Sequence, residues 1–282
     1  MRLISCFLLL AMLGGCRPVE ILDAVTPSSG YRLQSSLAYG GLKRQTLDLY
    51  SPTKPVSEPA PVIVFFYGGS WNSGDKADYR FVAQRLAEKG YAVVIPDYRL
   101  YPDVRFPAFL EDGALALNWV QDHAAGYGGD ARRIFLMGHS AGAYNAVMLA
   151  LDPRWTAKVG FDRGRLKGVI GLAGPYDFKL NTDLLRGVFG SARDPAETQP
   201  VTHAKAKAAP MLLITGEDDT TVEPRNSESL ARRLRENGNP VRLRRYPDED
   251  HIDLVLELSS FMNASSPVLD DILAFLRDPK GD

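Results

Sequence analysis

Two hydrophobic periods take turns along this chain. Residues 45–50 alternate between apolar and polar, as a half-exposed strand does, whereas Val62-Ile63-Val64-Phe65-Phe66-Tyr67 is one continuous apolar run of the kind buried on both faces. Helical spacing follows over 78–89, and then a strand pattern over 91–96. The same exchange repeats with a helix over 107–125, a strand over 134–137 and a helix over 143–151. Strands over 167–172, 211–215 and 241–246, with helices over 225–236 and 267–277, complete the series. Strand and helix in alternation predict an α/β fold: one mainly parallel sheet covered by helices on both faces. No internal repeat or low-complexity segment interrupts it.

The start of the chain breaks this pattern. Met1-Arg2 gives a short positive end, residues 3–12 an apolar stretch too short to span a bilayer comfortably, and Leu13-Gly14-Gly15-Cys16 a small-residue close. This is the layout of an export signal, and its last four residues resemble the bacterial lipobox, whose cysteine is acylated and becomes the new N-terminus. Ordinary secretion is the other reading of the same leader. Arg17, rather than Asp, follows the cysteine, and within the resemblance to Gram-negative lipoproteins that implies the outer membrane. Residues 17–40, rich in Pro, Ser and Gly near Pro27-Ser28-Ser29-Gly30, read as a tether, and 41–282 as the catalytic domain.

Composition narrows the function classes. The 282 residues are 45% hydrophobic and carry 33 Lys and Arg against 34 Asp and Glu, so a large core is available and no global field attracts nucleic acid. The basic segments at 232–235 and 242–245 read as solvated faces. Both cysteines, Cys6 and Cys16, lie in the leader, which leaves the folded domain without a disulfide. The four histidines are scattered and no paired cysteines or phosphate-cradling glycine loop occurs, so neither a metal nor a cofactor is expected.

The candidate chemistry sits where the 134–137 strand gives way to the helix after it. Met137-Gly138-His139-Ser140-Ala141-Gly142 holds a serine at a strand-to-helix bend, with a glycine two residues to either side where a Cβ would collide with neighbouring backbone. The following helix aims its unpaired N–H groups and partial positive charge at the same point. Such a serine is presented to a carbonyl carbon, with an oxyanion favoured beside it.

The order of motifs resembles the α/β-hydrolase family, in particular its small carboxylesterase branch. That branch includes hormone-sensitive-lipase-like esterases, prenylcysteine methylesterases, kynurenine formamidases and feruloyl-esterase-like proteins. The landmarks are Tyr67-Gly68-Gly69-Ser70-Trp71, Asp97-Tyr98-Arg99-Leu100, Gly138 to Gly142, Gly216-Glu217-Asp218-Asp219 with Val222, and Asp250-His251. The resemblance implies Ser140 as nucleophile, His251 as general base and Asp219 as the acid that orients it, with Asp218 the competing carboxylate. It also implies an oxyanion hole from the N–H groups of Gly69, Ser70 and Ala141. Tyr67 stands where the family pattern has His, a departure that touches the side-chain support of this loop. His139 reads as packing beneath the bend.

The implied activity is hydrolysis of small or short-acyl carboxylic esters through an acyl-enzyme, with a small-molecule ester as partner. An amidase, peptidase or lactone hydrolase would use the same three groups, and a surface-binding protein on a hydrolase scaffold is the alternative of another class. The connection between 172 and 211 is the main insertion, of a size for a small cap. Tyr176 and Phe189 in that connection, together with Trp71, are candidates either for substrate contact or for packing of the cap and wall.

Overall fold

A computed structural model describes residues 26–205, 207–260 and 265–281 of the chain. The leader, with Cys16, lies outside the described residues. Eight strands form one sheet in the order β1-β2-β4-β3-β5-β6-β7-β8. They are β1 (Tyr31–Ala38), β2 (Thr46–Pro52), β3 (Ala60–Phe66), β4 (Ala92–Pro96), β5 (Gly129–His139), β6 (Leu166–Leu172), β7 (Met211–Gly216) and β8 (Val241–Tyr246). The helices are α1 (Arg80–Glu88), α2 (Ala108–His123), α3 (Ala141–Leu151), α4 (Pro153–Lys158), α5 (Asp183–Phe189), α6 (Pro200–His203), α7 (Arg225–Glu236), α8 (Asp253–Leu256) and α9 (Pro267–Arg277).

From β4 to β8 every neighbouring pair is parallel, and β1 and β2 add an antiparallel ribbon at one edge. Crossover helices cover both faces, so the central strands meet no water. Every residue of β3, β4 and β7 is buried, which is why the sequence shows them as unbroken apolar runs. Helix α3 is buried along its whole length between the sheet and its neighbours, and its small and apolar residues allow that close approach. Helix α7 is the opposite case, with Ser227, Leu230, Ala231 and Leu234 packed inward and a charged outer face. Among the described residues no helix is long and apolar enough to cross a membrane.

The fold departs from the sequence expectation at its start. Tyr31–Ala38, within the expected tether, is a strand paired with β2 from Tyr31↔Pro52 to Ala38↔Thr46, so the folded domain begins before residue 41. An edge strand faces solvent along most of its length, and nearly all of β1 is exposed. Its polar sequence therefore carries no burial pattern to read. The connection from β6 to β7 holds the short helices α5 and α6, a small cap as its length implied.

Candidate active site

In a parallel sheet the loops that leave the carboxyl ends of neighbouring strands converge at one edge of the layer. Four such loops meet here, following β3, β5, β7 and β8. They carry, in that order, the Gly68-Gly69-Ser70 turn, Ser140, Asp219 and His251.

Ser140 occupies the bend between β5 and α3 with φ 55° and ψ −123°, a backbone conformation that costs a non-glycine residue about 1–3 kcal/mol. Surrounding contacts hold it there. Its N–H donates to the Leu172 carbonyl at 2.9 Å and its own carbonyl accepts from Tyr144 N–H at 3.1 Å. A Cβ on Gly142 would run into the Phe66 and Tyr67 carbonyls, and one on Gly138 into the Gly142 backbone. The glycines are the condition for strand and helix to approach this closely.

Ser140 Oγ lies 2.9 Å from His251 Nε2, and His251 Nδ1 lies 2.8 Å from Asp219 Oδ2. The Asp219 side chain is fully buried, and its other oxygen, Oδ1, accepts the backbone N–H groups of Thr221 (2.9 Å) and Val222 (2.8 Å). One carboxylate oxygen is thus held by the loop while the second faces the imidazole. Asp218 is exposed, and its backbone N–H donates to Glu249 O at 3.2 Å. Of the two adjacent carboxylates, Asp219 is the one brought to the histidine.

His139 is more than filler beneath the bend. Its Nε2 lies 2.9 Å from the His251 carbonyl, and because a carbonyl only accepts, that nitrogen carries the proton. The two rings sit 4.9 Å apart. Burial pushes the His139 imidazole down to about 3, with the neighbouring His251 adding to the effect, so it stays neutral. A neutral donor here fixes the backbone of His251 without placing a second cation beside it.

The Gly69-Ser70 turn faces Ser140 from the end of β3, with Gly69 at φ 116°, Ser70 at 51° and Trp71 at 59°. Among the described residues the N–H groups of Gly69, Ser70 and Ala141 have no hydrogen-bond partner. Ala141 opens α3, where a helix lacks internal acceptors for its first N–H groups. Trp71 Nε1 donates to Asn145 Oδ1 at 3.1 Å, a buried strut between the turn and α3. Sequence reading missed Asn145. One turn past Ser140 on a buried helix, an amide is the signal that could have drawn attention to it.

The three candidate contact aromatics fall in two places. Trp71 and Phe189 join one cluster, ring centroids 4.8 Å apart, with Tyr144, Phe109 and the half-buried Phe178. Tyr176 stands against Gly171 and Gly174 and is fully buried, as is Phe189. Both therefore pack the cap and its floor, while Phe178 and the partly buried Leu180, Leu184 and Leu185 present the cap's remaining apolar surface. Among the described residues no three His, Cys, Asp or Glu side chains gather as metal ligands would.

A hydroxyl, an imidazole and a buried carboxylate in one hydrogen-bonded line, beside unpaired N–H donors at a helix start, can activate the hydroxyl and stabilise an oxyanion. With the sheet order and its crossover helices, this defines the α/β-hydrolase fold. Residues 47–234 match the BD-FAE family, and the chain belongs to it. A probable isoprenylcysteine alpha-carbonyl methylesterase ICME of Oryza sativa subsp. japonica is 29% identical over 268 residues, covering 88% of this chain and 64% of that protein. Esterase LipC of Mycobacterium tuberculosis is 29% identical over 217 residues, covering 70% of this chain and 54% of its own length. The chain thus spans between about half and two thirds of these relatives. Among solved structures, esterase B from Lactobacillus Rhamnosis superposes with a TM-score of 0.78 at 21% identity, over 98% of this chain and 92% of that one. Esterase 2 of Thermogutta terrifontis gives 0.68 at 24% identity, over 91% and 97%. These superpositions show the shared fold.

Proposed function

We propose that this protein hydrolyses carboxylic esters of short acyl chains through an acyl-enzyme on Ser140. The observation that carries the reading is the Ser140–His251–Asp219 line at 2.9 and 2.8 Å, set beside three unpaired N–H groups. His251 Nε2 takes the Ser140 proton as Oγ bonds to the carbonyl carbon, and the carbonyl π pair moves onto oxygen, held by the N–H groups of Gly69, Ser70 and Ala141. The tetrahedral adduct collapses, the C–O bond to the alcohol breaks, and His251 returns the proton to the departing oxygen. Water then repeats the sequence on the acyl-enzyme, releasing the acid and restoring Ser140. Asp219 keeps the proton of His251 on Nδ1 and offsets the charge that the ring acquires.

The acyl-length preference is supported by the cap. Helix α5 is tied to the segment before α2: Phe106 N–H donates to Val188 O at 2.9 Å, Ser191 Oγ to Phe106 O at 2.9 Å and Arg105 Nη1 to Gly187 O at 2.5 Å. The buried aromatic cluster of Trp71, Phe109, Tyr144 and Phe189 packs together with this short, tied-down cap. A panel of esters of graded acyl length, with matching amides, tests the reading. Preference should change over a few carbons, since each methylene that fits or is excluded is worth about 1–3 kcal/mol. A jump in rate when long-chain triglyceride forms an emulsion would contradict it.

The acylation of Cys16 belongs to the same proposal, supported by Leu13-Gly14-Gly15-Cys16 behind an apolar leader. The first strand begins at Tyr31, opposite Pro52 and so at the end of the sheet remote from Ser140, because β2 runs against β4. Detergent partitioning of full-length protein, and accumulation of uncleaved precursor in Cys16→Ser, are the expected results. Normal processing of that variant would favour plain secretion.

A further inference from the structure

The loop from Tyr67 to Lys76 holds two of the three oxyanion donors, yet it lies outside any strand or long helix. Inside the loop the Gly69 carbonyl accepts three hydrogen bonds, from Asn72 N–H (3.0 Å), Ser73 N–H (3.0 Å) and Ser73 Oγ (3.1 Å). A trans peptide points its C=O and N–H in opposite directions, so fixing this carbonyl inside the loop turns the Ser70 N–H outward. The direction of that donor depends on the loop staying closed.

Closure is made by groups far away in the sequence. Arg44, in the connection from β1 to β2, donates from Nε to Tyr98 O (2.8 Å) and from Nη2 to Tyr67 Oη (2.7 Å) and Gly74 O (2.8 Å). Asp97, just past the end of β4, accepts from Tyr67 Oη (2.8 Å), from Lys76 N–H (2.9 Å) and from Lys76 Nζ (3.3 Å). Tyr67 is the first residue of the loop, and Gly74 and Lys76 are its close. Arg44 and Asp97 therefore bind both ends of the loop to each other and to the carboxyl end of β4. The Tyr67 ring is stacked on Tyr98 at 4.7 Å, and Tyr98 Oη donates to the Tyr67 carbonyl at 2.8 Å, so the start of the loop is gripped on both sides.

We propose that Arg44, acting through Tyr67 and with Asp97, is a positioning residue of the oxyanion hole, closing the loop so that Gly69 and Ser70 aim their N–H groups at the developing oxyanion. This inference rests on the ester-hydrolase reading above. It explains how a chain with Tyr67 at the loop's first position supports the turn: the phenol spans the distance to a guanidinium and a carboxylate on two other segments. A lysine could not replace Arg44, because donation from Nε to one carbonyl and from Nη2 to another oxygen uses the planar fork.

The test compares wild type with Tyr67→Phe and Arg44→Ala on a soluble short-chain ester. Each variant should lose kcat by about 10- to 100-fold, the range set by a misaimed oxyanion donor, with KM changed less than about 3-fold. The Ki of a trifluoromethyl ketone, which forms the same tetrahedral oxyanion, should rise by the same factor as kcat falls. The Arg44 side chain is 30% exposed, so methylguanidinium should restore part of the kcat of Arg44→Ala where methylammonium does not. Unchanged kcat in both variants, or loss confined to KM or to thermal stability, overturns the proposal. Should Arg44→Ala fail to fold, Tyr67→Phe, which removes a single oxygen, decides alone. A wild type without esterase activity and without the ketone adduct would bring down the hydrolase reading itself, whereas an active wild type with undiminished variants brings down only the role of Arg44.

Discussion

The bend at Ser140 and the loop at Gly69 face each other across the same small space, and they are held by different forces. The bend is fixed by contact. Gly138 and Gly142 let backbone press on backbone, and a single added methyl on Gly142 would meet the Phe66 and Tyr67 carbonyls. The loop has close glycine contacts of its own at Gly69 and Gly74, but its ends are joined by charge and hydrogen bonds through Arg44, Asp97 and Tyr67. Steric fixing is all or nothing, because close-packed backbone has no alternative place to go. Polar fixing is graded, and its failure leaves a folded protein whose donors point slightly wrong. Damage to the bend should therefore appear in stability, and damage to the loop in turnover.

The largest expected effect separates both from the proton relay. His251→Ala should lower kcat by about 10⁴-fold or more with the fold intact, measured by steady-state kinetics on a soluble ester. Asp219→Asn comes next, at about 10³- to 10⁴-fold, since the amide leaves the imidazole in the wrong tautomer. Asp218→Asn, at an exposed carboxylate, should cost less than about 10-fold. The reverse order for the two aspartates would mean that a different carboxylate orients His251.

Gly142→Ala sharpens the comparison itself. Because the atoms it meets are backbone, about 3 kcal/mol or more should be lost, lowering Tm by about 6–12 °C. Gly41→Ala, which meets nothing within 4 Å, is the control and should stay within about 0.5 kcal/mol. Equal stability of the two variants would refute a sterically fixed bend.

The smallest effect concerns acid. His139 is held near 3 in the folded protein against 6.5 for an ordinary histidine, so between these values the unfolded chain binds the proton and the folded one does not. Stability from this group is complete above pH 6.5 and is lost as pH falls toward 3. Glu249, which burial and then the carboxylates of Glu257, Asp253, Asp250 and Asp248 push up to about 7, has the opposite slope. Its contribution is present below 4.5 and fades as pH rises through 7. His139→Gln removes only the first of these while keeping a donor for the His251 carbonyl. Denaturant melts from pH 6.5 to 4.5 should show wild type losing about 2 kcal/mol more than the variant. Parallel curves would mean that His139 is protonated in the folded protein.

The difference between the two regions is also why one was legible in the sequence and the other was not. The bend is contiguous: glycine, serine and glycine two residues apart, between an apolar run and a helix, state a steric requirement within six residues. Helices α7 and α9 and strand β8 were legible for a related reason, since period and caps are local properties. Nothing local ties Arg44 to Tyr67, or Asn145 to Trp71, because those pairs are made by strand order in the sheet. Strand β1 escaped notice because an exposed edge has no apolar face to betray it. Asp218 and Asp219 were adjacent letters until the loop after β7 turned one inward and left the other in water.

The central claim, that Ser140 forms a covalent acyl-enzyme, is tested most directly by intact-mass and peptide mapping of the folded domain after reaction with a fluorophosphonate. One adduct per chain on the peptide containing Ser140, matched by complete loss of ester hydrolysis and absent from Ser140→Ala, is the predicted result. An adduct that persists in Ser140→Ala, or ester hydrolysis that continues in that variant, would contradict it.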